Sequence, residues 1–192
     1  NGGCDLIEIG IPFSDPIAEG PVIQEANLRS LAQGTTTDKV FELTKKLSSR
    51  VDTPLVYMTY LNVLFKYGYD KFLQNAKDAG ISGVIVPDLP YEEKDELQSV
   101  AEKYDIDVIS LIAPTSEDRI KMIASDAKGF IYTVSSMGVT GMRNEIKTDL
   151  QSIVSHIKSV TDVPVAIGFG INKPQQAKEF SAYADGVIVG SA

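Results

Sequence analysis

The sequence has no tryptophan, one cysteine and one histidine in 192 residues. A lone cysteine, Cys4, has no partner in the chain, which excludes a disulfide scaffold. Without a Cys or His cluster there is no ligand set from which to build a metal site, and none is expected. No stretch approaches the roughly 18 consecutive apolar residues of a membrane span. Acidic residues outnumber basic ones 26 to 18, for a net charge of −8. No Lys/Arg cluster offsets that balance, which argues against nucleic acid or an anionic membrane as partner. No Gly-x-Gly-x-x-Gly follows a strand and no Gly-x-Ser-x-Gly elbow is present, so the dinucleotide-binding and commonest hydrolase signatures are missing.

What is present is 43% hydrophobic residues with no low-complexity tract, enough for a sizeable core. The class that remains is a cytosolic globular domain. Seven short apolar runs stand out: 5–11, 54–60, 83–88, 107–112, 130–134, 164–169 and 186–190. After the first, they recur about every 20 to 30 residues, the size of a βα unit. The intervening segments place apolar residues at helical spacing. Phe72, Leu73, Ala76 and Ala79 form one such stripe; Ile120, Ile123, Ala124 and Ala127 form a second; Ile153, Val154, Ile157 and Val160 form a third. Thr37-Asp38 reads as one helix start, Gly80 as a helix stop and Pro174 as the first turn of another helix. The unbroken alternation predicts a single α/β domain over 1–192, a (βα)8 TIM barrel in preference to an open doubly wound sheet.

The run Asp5–Ile11 sorts by period two: Ile7, Ile9 and Ile11 to one side, Leu6, Glu8 and Gly10 to the other. In a barrel the second side is the interior, where burial raises a carboxyl pKa and suits Glu8 to general acid–base work. A buried glutamate held in a structural ion pair fits the same pattern. The loop Pro12–Pro21 leaves the C-terminal end of that strand, where barrel enzymes place their active sites. It brings a second carboxylate within reach of Glu8, although a rigid solvated turn has the same composition.

Glycines follow the last three strands: Gly138 and Gly141, Gly168 and Gly170, then Gly190. Exposed amides at such turns bind phosphate without a basic side chain, and tight βα turns need glycine in any case. The long polar segment 135–147 reads either as a lid over substrate or as a surface loop. Three single residues read as structural. His156 is a surface position, Cys4 a buried or half-buried thiol, and Asp88 a cap for the helix that follows it or a brace for its own loop.

The string IEIGIPFSDPIAEGPVIQEA (7–26) resembles the tryptophan synthase α-subunit family. The likeness continues through MTYLN (58–62), IVPDLPYEE (85–93), FIYTVSSMGVTG (130–141), PVAIGFGI (164–171) and DGVIVGSA (185–192). It spans the chain in the family's order. The resemblance implies a (βα)8 fold and cofactor-free retro-aldol cleavage of indole-3-glycerol phosphate to indole and glyceraldehyde 3-phosphate. It implies that Glu8 is the catalytic glutamate that shuttles the protons. The family's second carboxylate is the aspartate of an Ala-Asp-Gly-Pro motif, which binds the indole N–H. Here that motif reads Ala18-Glu19-Gly20-Pro21, so Glu19 brings the charge on a side chain one methylene longer. By the same matching Tyr132 lines the indole pocket, Phe169 lies near the substrate, and Gly141, Gly170, Gly190 and Ser191 hold the phosphate.

The resemblance also implies a pyridoxal-phosphate β subunit as partner in an α2β2 assembly, with Asp15 at the contact and no pyridoxal phosphate on this chain. Against a complete barrel of about 250 residues, it implies a shortened chain, lacking the first strand with its helix and the last helix. Two rivals stand beside this reading. One is a catalytically weak subunit that binds and activates β. The other is a phosphosugar isomerase or epimerase, of which the epimerases need metal-binding His and Asp residues that are missing here.

Overall fold

The computed structural model describes residues 3–134, 143–168 and 170–190, with 143–149 described by backbone alone. Two compact units are distinguished, Asn1–Val108 and Ile109–Ala192. All seven expected strands are present.

The first unit runs β1 (Ile7–Gly10), α1 (Pro21–Ala32), α2 (Thr37–Ser48), β2 (Leu55–Met58), α3 (Leu61–Tyr67), α4 (Tyr69–Asp78), β3 (Ile81–Ile85) and α5 (Lys94–Ala101). β1 pairs parallel to β2, with Glu8 opposite Val56 and Gly10 opposite Met58. β2 pairs parallel to β3. The helices cover one face of these strands because their stripes are apolar as read: Phe72, Leu73, Ala76 and Ala79 are all fully buried. Phe41, Tyr57 and Phe72 meet edge to face, with centroids 5.2 to 6.1 Å apart. Ile7 and Ile9 pack on this core and Ile11 belongs to it, so the period-two reading of the first strand holds. Glu8 is turned to the opposite face.

The third strand starts at Ile81 and ends at Ile85, two residues earlier at its start than the apolar run suggested. Gly80, with φ of 87°, turns the chain straight out of α4 into the strand, and an added Cβ there would lie 2.8 Å from Ser48 Cβ. Ser82 and Gly83 hid this start by interrupting the apolar pattern. α2 begins at Thr37 as read, and Thr36 caps it, its hydroxyl accepting from the Lys39 amide. Cys4 is exposed, contrary to the buried or half-buried thiol expected, because it lies three residues before the strand begins at Ile7.

β4 (Asp107–Ile112) leads into the second unit, which continues α6 (Glu117–Ser125), β5 (Ile131–Val134), α7 (Arg143–Lys158), β6 (Val165–Gly168), α8 (Pro174–Phe180) and β7 (Gly186–Val187). β4, β5, β6 and β7 pair in that order, all parallel. Ile120, Ile123, Ala124, Leu150, Ile153, Val154, Ile157 and Phe180 are buried, which fixes the inward faces of α6, α7 and α8. α7 begins at Arg143, inside the segment read as a loop to 147, and ends before Val160, which is 41% exposed. The lid reading of that segment rests on 135–142, which lie outside the described residues. β7 is short, and Ile188 continues it with a single hydrogen bond to the Ile167 carbonyl.

Candidate active site

Glu8 stands mid-strand on the face away from the helices, half-buried, opposite Val56. Its Oε1 is buried and has no hydrogen-bond partner among the described residues. Among the described residues no cation is recorded against it, and desolvation pushes the carboxyl up to about 7. The structural ion pair that rivalled a chemical role is not found among the described residues. Two residues on, on the same face by strand period, Gly10 is exposed, and a Cβ added there would meet nothing within 4 Å. A carboxyl poised to gain or lose a proton near neutral pH thus has room beside it among the described residues.

The loop after β1 is tied down by one side chain from the turn that follows β2. Tyr60, at the start of α3, is 2% exposed and its ring stacks on Phe13 at 5.3 Å. Its hydroxyl accepts the Ile17 amide at 3.2 Å and the Ala18 amide at 2.9 Å. The same hydroxyl donates to Glu19 Oε2 in a short hydrogen bond. Burial and the adjoining Glu19 carboxylate both push the phenol's pKa up, so it stays a donor at neutral pH. Asp15 remains exposed in this loop and takes a hydrogen bond from the Ser14 hydroxyl; Ile17 is also exposed. Asp88 accepts the Leu61 amide at 2.8 Å. It thereby satisfies the first orphan N–H of α3, a helix earlier in the chain, rather than the helix that follows it.

In the second unit Tyr132 projects from β5 and is 4% exposed. Its ring lies against Gly168, the last residue of β6. A Cβ at 168 would come within 2.4 Å of the hydroxyl and 2.5 Å of Cε1. Gly168 is a glycine because Tyr132 occupies the place of its side chain. Gly170 has φ of 77°, which itself demands glycine. Gly190 is different: its φ is ordinary and an added Cβ meets nothing within 4 Å. Gly141, Phe169 and Ser191 lie outside the described residues. His156, on α7, sits 3.5 Å from Glu117 Oε2, a surface pairing in keeping with the expected surface position.

Sequence reasoning missed Tyr60, the cap made by Asp88 and the packing role of Gly168. Tyr60 stood in the string MTYLN just past a strand end, and a tyrosine at that position was the available signal. The other two depend on contacts between strands, which no local pattern carries. Among the described residues no group of three or more His, Cys, Asp or Glu side chains could hold a metal ion. Nor is any described helix long and apolar enough to cross a membrane.

The family model of the tryptophan synthase alpha chain matches residues 1–192. The tryptophan synthase alpha chain of Lacticaseibacillus casei is 53% identical over 191 residues, covering 100% of this chain and 72% of that protein. That of Caldanaerobacter subterraneus is 48% identical over 190 residues, covering 99% of this chain and 72% of its own. Among solved structures, the tryptophan synthase subunit alpha of Campylobacter jejuni superposes with a TM-score of 0.89 at 41% identity, over 97% of this chain and 75% of that one. The aminoacrylate-bound tryptophan synthase of M. tuberculosis gives 0.88 at 34% identity, over 99% of this chain and 73% of that one. Strand order, the loop bearing the carboxylates and the similarity along the whole chain agree: this chain belongs to the tryptophan synthase alpha chain family.

Proposed function

We propose that Glu8 and Glu19 carry out the reaction of this family, the retro-aldol cleavage of indole-3-glycerol phosphate. Glu8 gives a proton to indole C3 and takes one from the hydroxyl on the adjoining glycerol carbon. The bond between them breaks, its electron pair returns to the indole ring, and the aldehyde of glyceraldehyde 3-phosphate forms. Positive charge develops at the indole nitrogen during protonation, and the Glu19 carboxylate accepts the N–H and stabilises it. The observation that carries this reading is the Glu8 carboxyl, raised to about 7 by desolvation, on the strand face where a Cβ added at Gly10 meets nothing within 4 Å among the described residues.

Tyr132 is proposed to line the indole pocket and Phe169 to lie near the substrate. Gly141, Gly170, Gly190 and Ser191 are the proposed phosphate ligands. Gly190 supports this: the described fold has no need of a glycine there, whereas close approach of a phosphate to backbone amides does. The family implies a β-subunit partner. An α2β2 assembly with Asp15 at the contact is the proposed form, and the cytoplasm the proposed location. The chain itself is proposed to work without cofactor.

Indole release from indole-3-glycerol phosphate, measured with and without a tryptophan synthase β subunit, tests the activity. Failure in both conditions would favour a subunit that only binds and activates β. Glu19→Asp restores the side chain that the family's Ala-Asp-Gly-Pro motif carries at this position, and is expected to keep kcat within about threefold of wild type or to raise it. A tenfold loss would mean that the longer side chain is a requirement of this loop.

A further inference from the structure

Glu19 has three side-chain torsions and sits in an irregular loop, so its carboxylate would sweep a wide arc if left free. A group that must meet an indole N–H in one place needs something to hold it. The hydroxyl of Tyr60 does this with its whole bonding capacity. Its two lone pairs receive the Ile17 and Ala18 amides, and its proton goes to Glu19 Oε2. Three consecutive residues of the loop are thereby fixed to one atom.

That atom is itself anchored. The Tyr60 ring is buried and stacked on Phe13, at the other end of the same loop. On either side of Tyr60 the backbone is held to the β3 end of the unit. The Thr59 amide donates to the Ile85 carbonyl at 3.0 Å, and the Leu61 amide to Asp88. A chain of hydrogen bonds therefore runs from the β3 loop through the start of α3 to the Glu19 carboxylate.

We propose that Tyr60 is the positioning residue of Glu19, setting where the longer carboxylate of this chain meets the substrate. The proposal rests on the reading of Glu19 as one of the two working carboxylates. Tyr60→Phe keeps the ring and its stack and removes only the hydroxyl. In the complex with a β subunit it is expected to lower kcat for indole release about ten- to a hundredfold, the scale of a misplacement near 1 Å, with KM within about threefold of wild type. Placed in a Glu19→Gln background, the same change is expected to add less than about threefold, because groups acting as a unit are non-additive. A kcat within twofold of wild type, or losses that multiply in the double variant, would overturn the proposal.

An inactive wild-type chain would instead remove the reaction assigned to the family site, and a Glu19→Gln variant as active as wild type would remove Glu19 and Tyr60 together. Amide hydrogen exchange reads the same geometry without substrate. The Ile17 and Ala18 amides should exchange at least about tenfold more slowly than that of exposed Ser14 in the wild-type chain, and should lose that protection in Tyr60→Phe. Equal rates at positions 14, 17 and 18 in the wild type would overturn the proposal even if Tyr60→Phe failed to fold.

Discussion

Glu8→Gln is expected to abolish indole release, lowering kcat by about a thousandfold or more, while leaving the chain more stable than wild type above pH 7. The amide matches the carboxyl in shape but cannot shuttle a proton, and general acid–base catalysis is worth about 10²- to 10⁴-fold. The stability gain follows from the same burial. The carboxyl has a model value of 4.5 and is raised to about 7 in the fold. Below the unfolded value both states carry it protonated and there is no penalty. Between the two values the unfolded chain ionises first, so stability is lost as pH rises, and the loss is complete above about 7. At about 1.4 kcal/mol per unit the full effect is about 3 kcal/mol, and partial solvent access brings it nearer ~1–2 kcal/mol. Thermal melts of both chains across pH 4.5 to 8 check this. The curves should start together and separate with rising pH, while the wild-type kcat/KM profile breaks near pH 7. A gap independent of pH, or indole release that survives the substitution, would remove Glu8 from the mechanism.

Gly168→Ala is the second large effect, and its cause is steric. The new methyl would sit 2.4 to 2.6 Å from three atoms of the Tyr132 phenol, distances that no packed pair tolerates. Tyr132 is buried, so the strain is expected to cost about 1–3 kcal/mol. Displacing the ring by about 1 Å should reduce kcat/KM on the order of a hundredfold, if Tyr132 lines the indole pocket as proposed. Gly190→Ala provides the contrast. Its added Cβ meets nothing within 4 Å among the described residues. Its melting temperature is expected to stay within about 1 °C of wild type while KM for the phosphorylated substrate rises about tenfold, through lost approach to the backbone amides. Paired melts and steady-state kinetics on the two variants separate a glycine kept for a neighbouring ring from one kept for a ligand. Full activity in Gly190→Ala would end the phosphate role of that position.

Several features are legible in the sequence. The alternation of β-branched runs with helical stripes announced seven βα strands. The period of Asp5–Ile11 sorted Ile7 and Ile9 to the core and Glu8 away from it, because side-chain direction along a strand is a local property. Strand ends were less legible: Ser82 and Gly83 interrupt the pattern inside β3, and Val160 extends the stripe of α7 beyond the helix itself. Asp88 shows the deeper limit. Its sequence neighbours suggested a cap for the next helix, yet its carboxylate binds Leu61, 27 positions back, because parallel pairing of β2 and β3 brings their following loops together.

By itself, then, the sequence determined the fold class and the family and pointed to the two proposed carboxylates, since periodicity and motif order are written along the chain. Only the tertiary structure decided how those carboxylates are treated. Burial, with no partner for Oε1 among the described residues, raises the proton affinity of Glu8 toward neutral pH. A tyrosine 41 positions away holds Glu19, and a phenol one strand over requires the glycine at 168. Desolvation, capping and close packing depend on what lies alongside in space, and residues distant in sequence become neighbours only once the strands have paired.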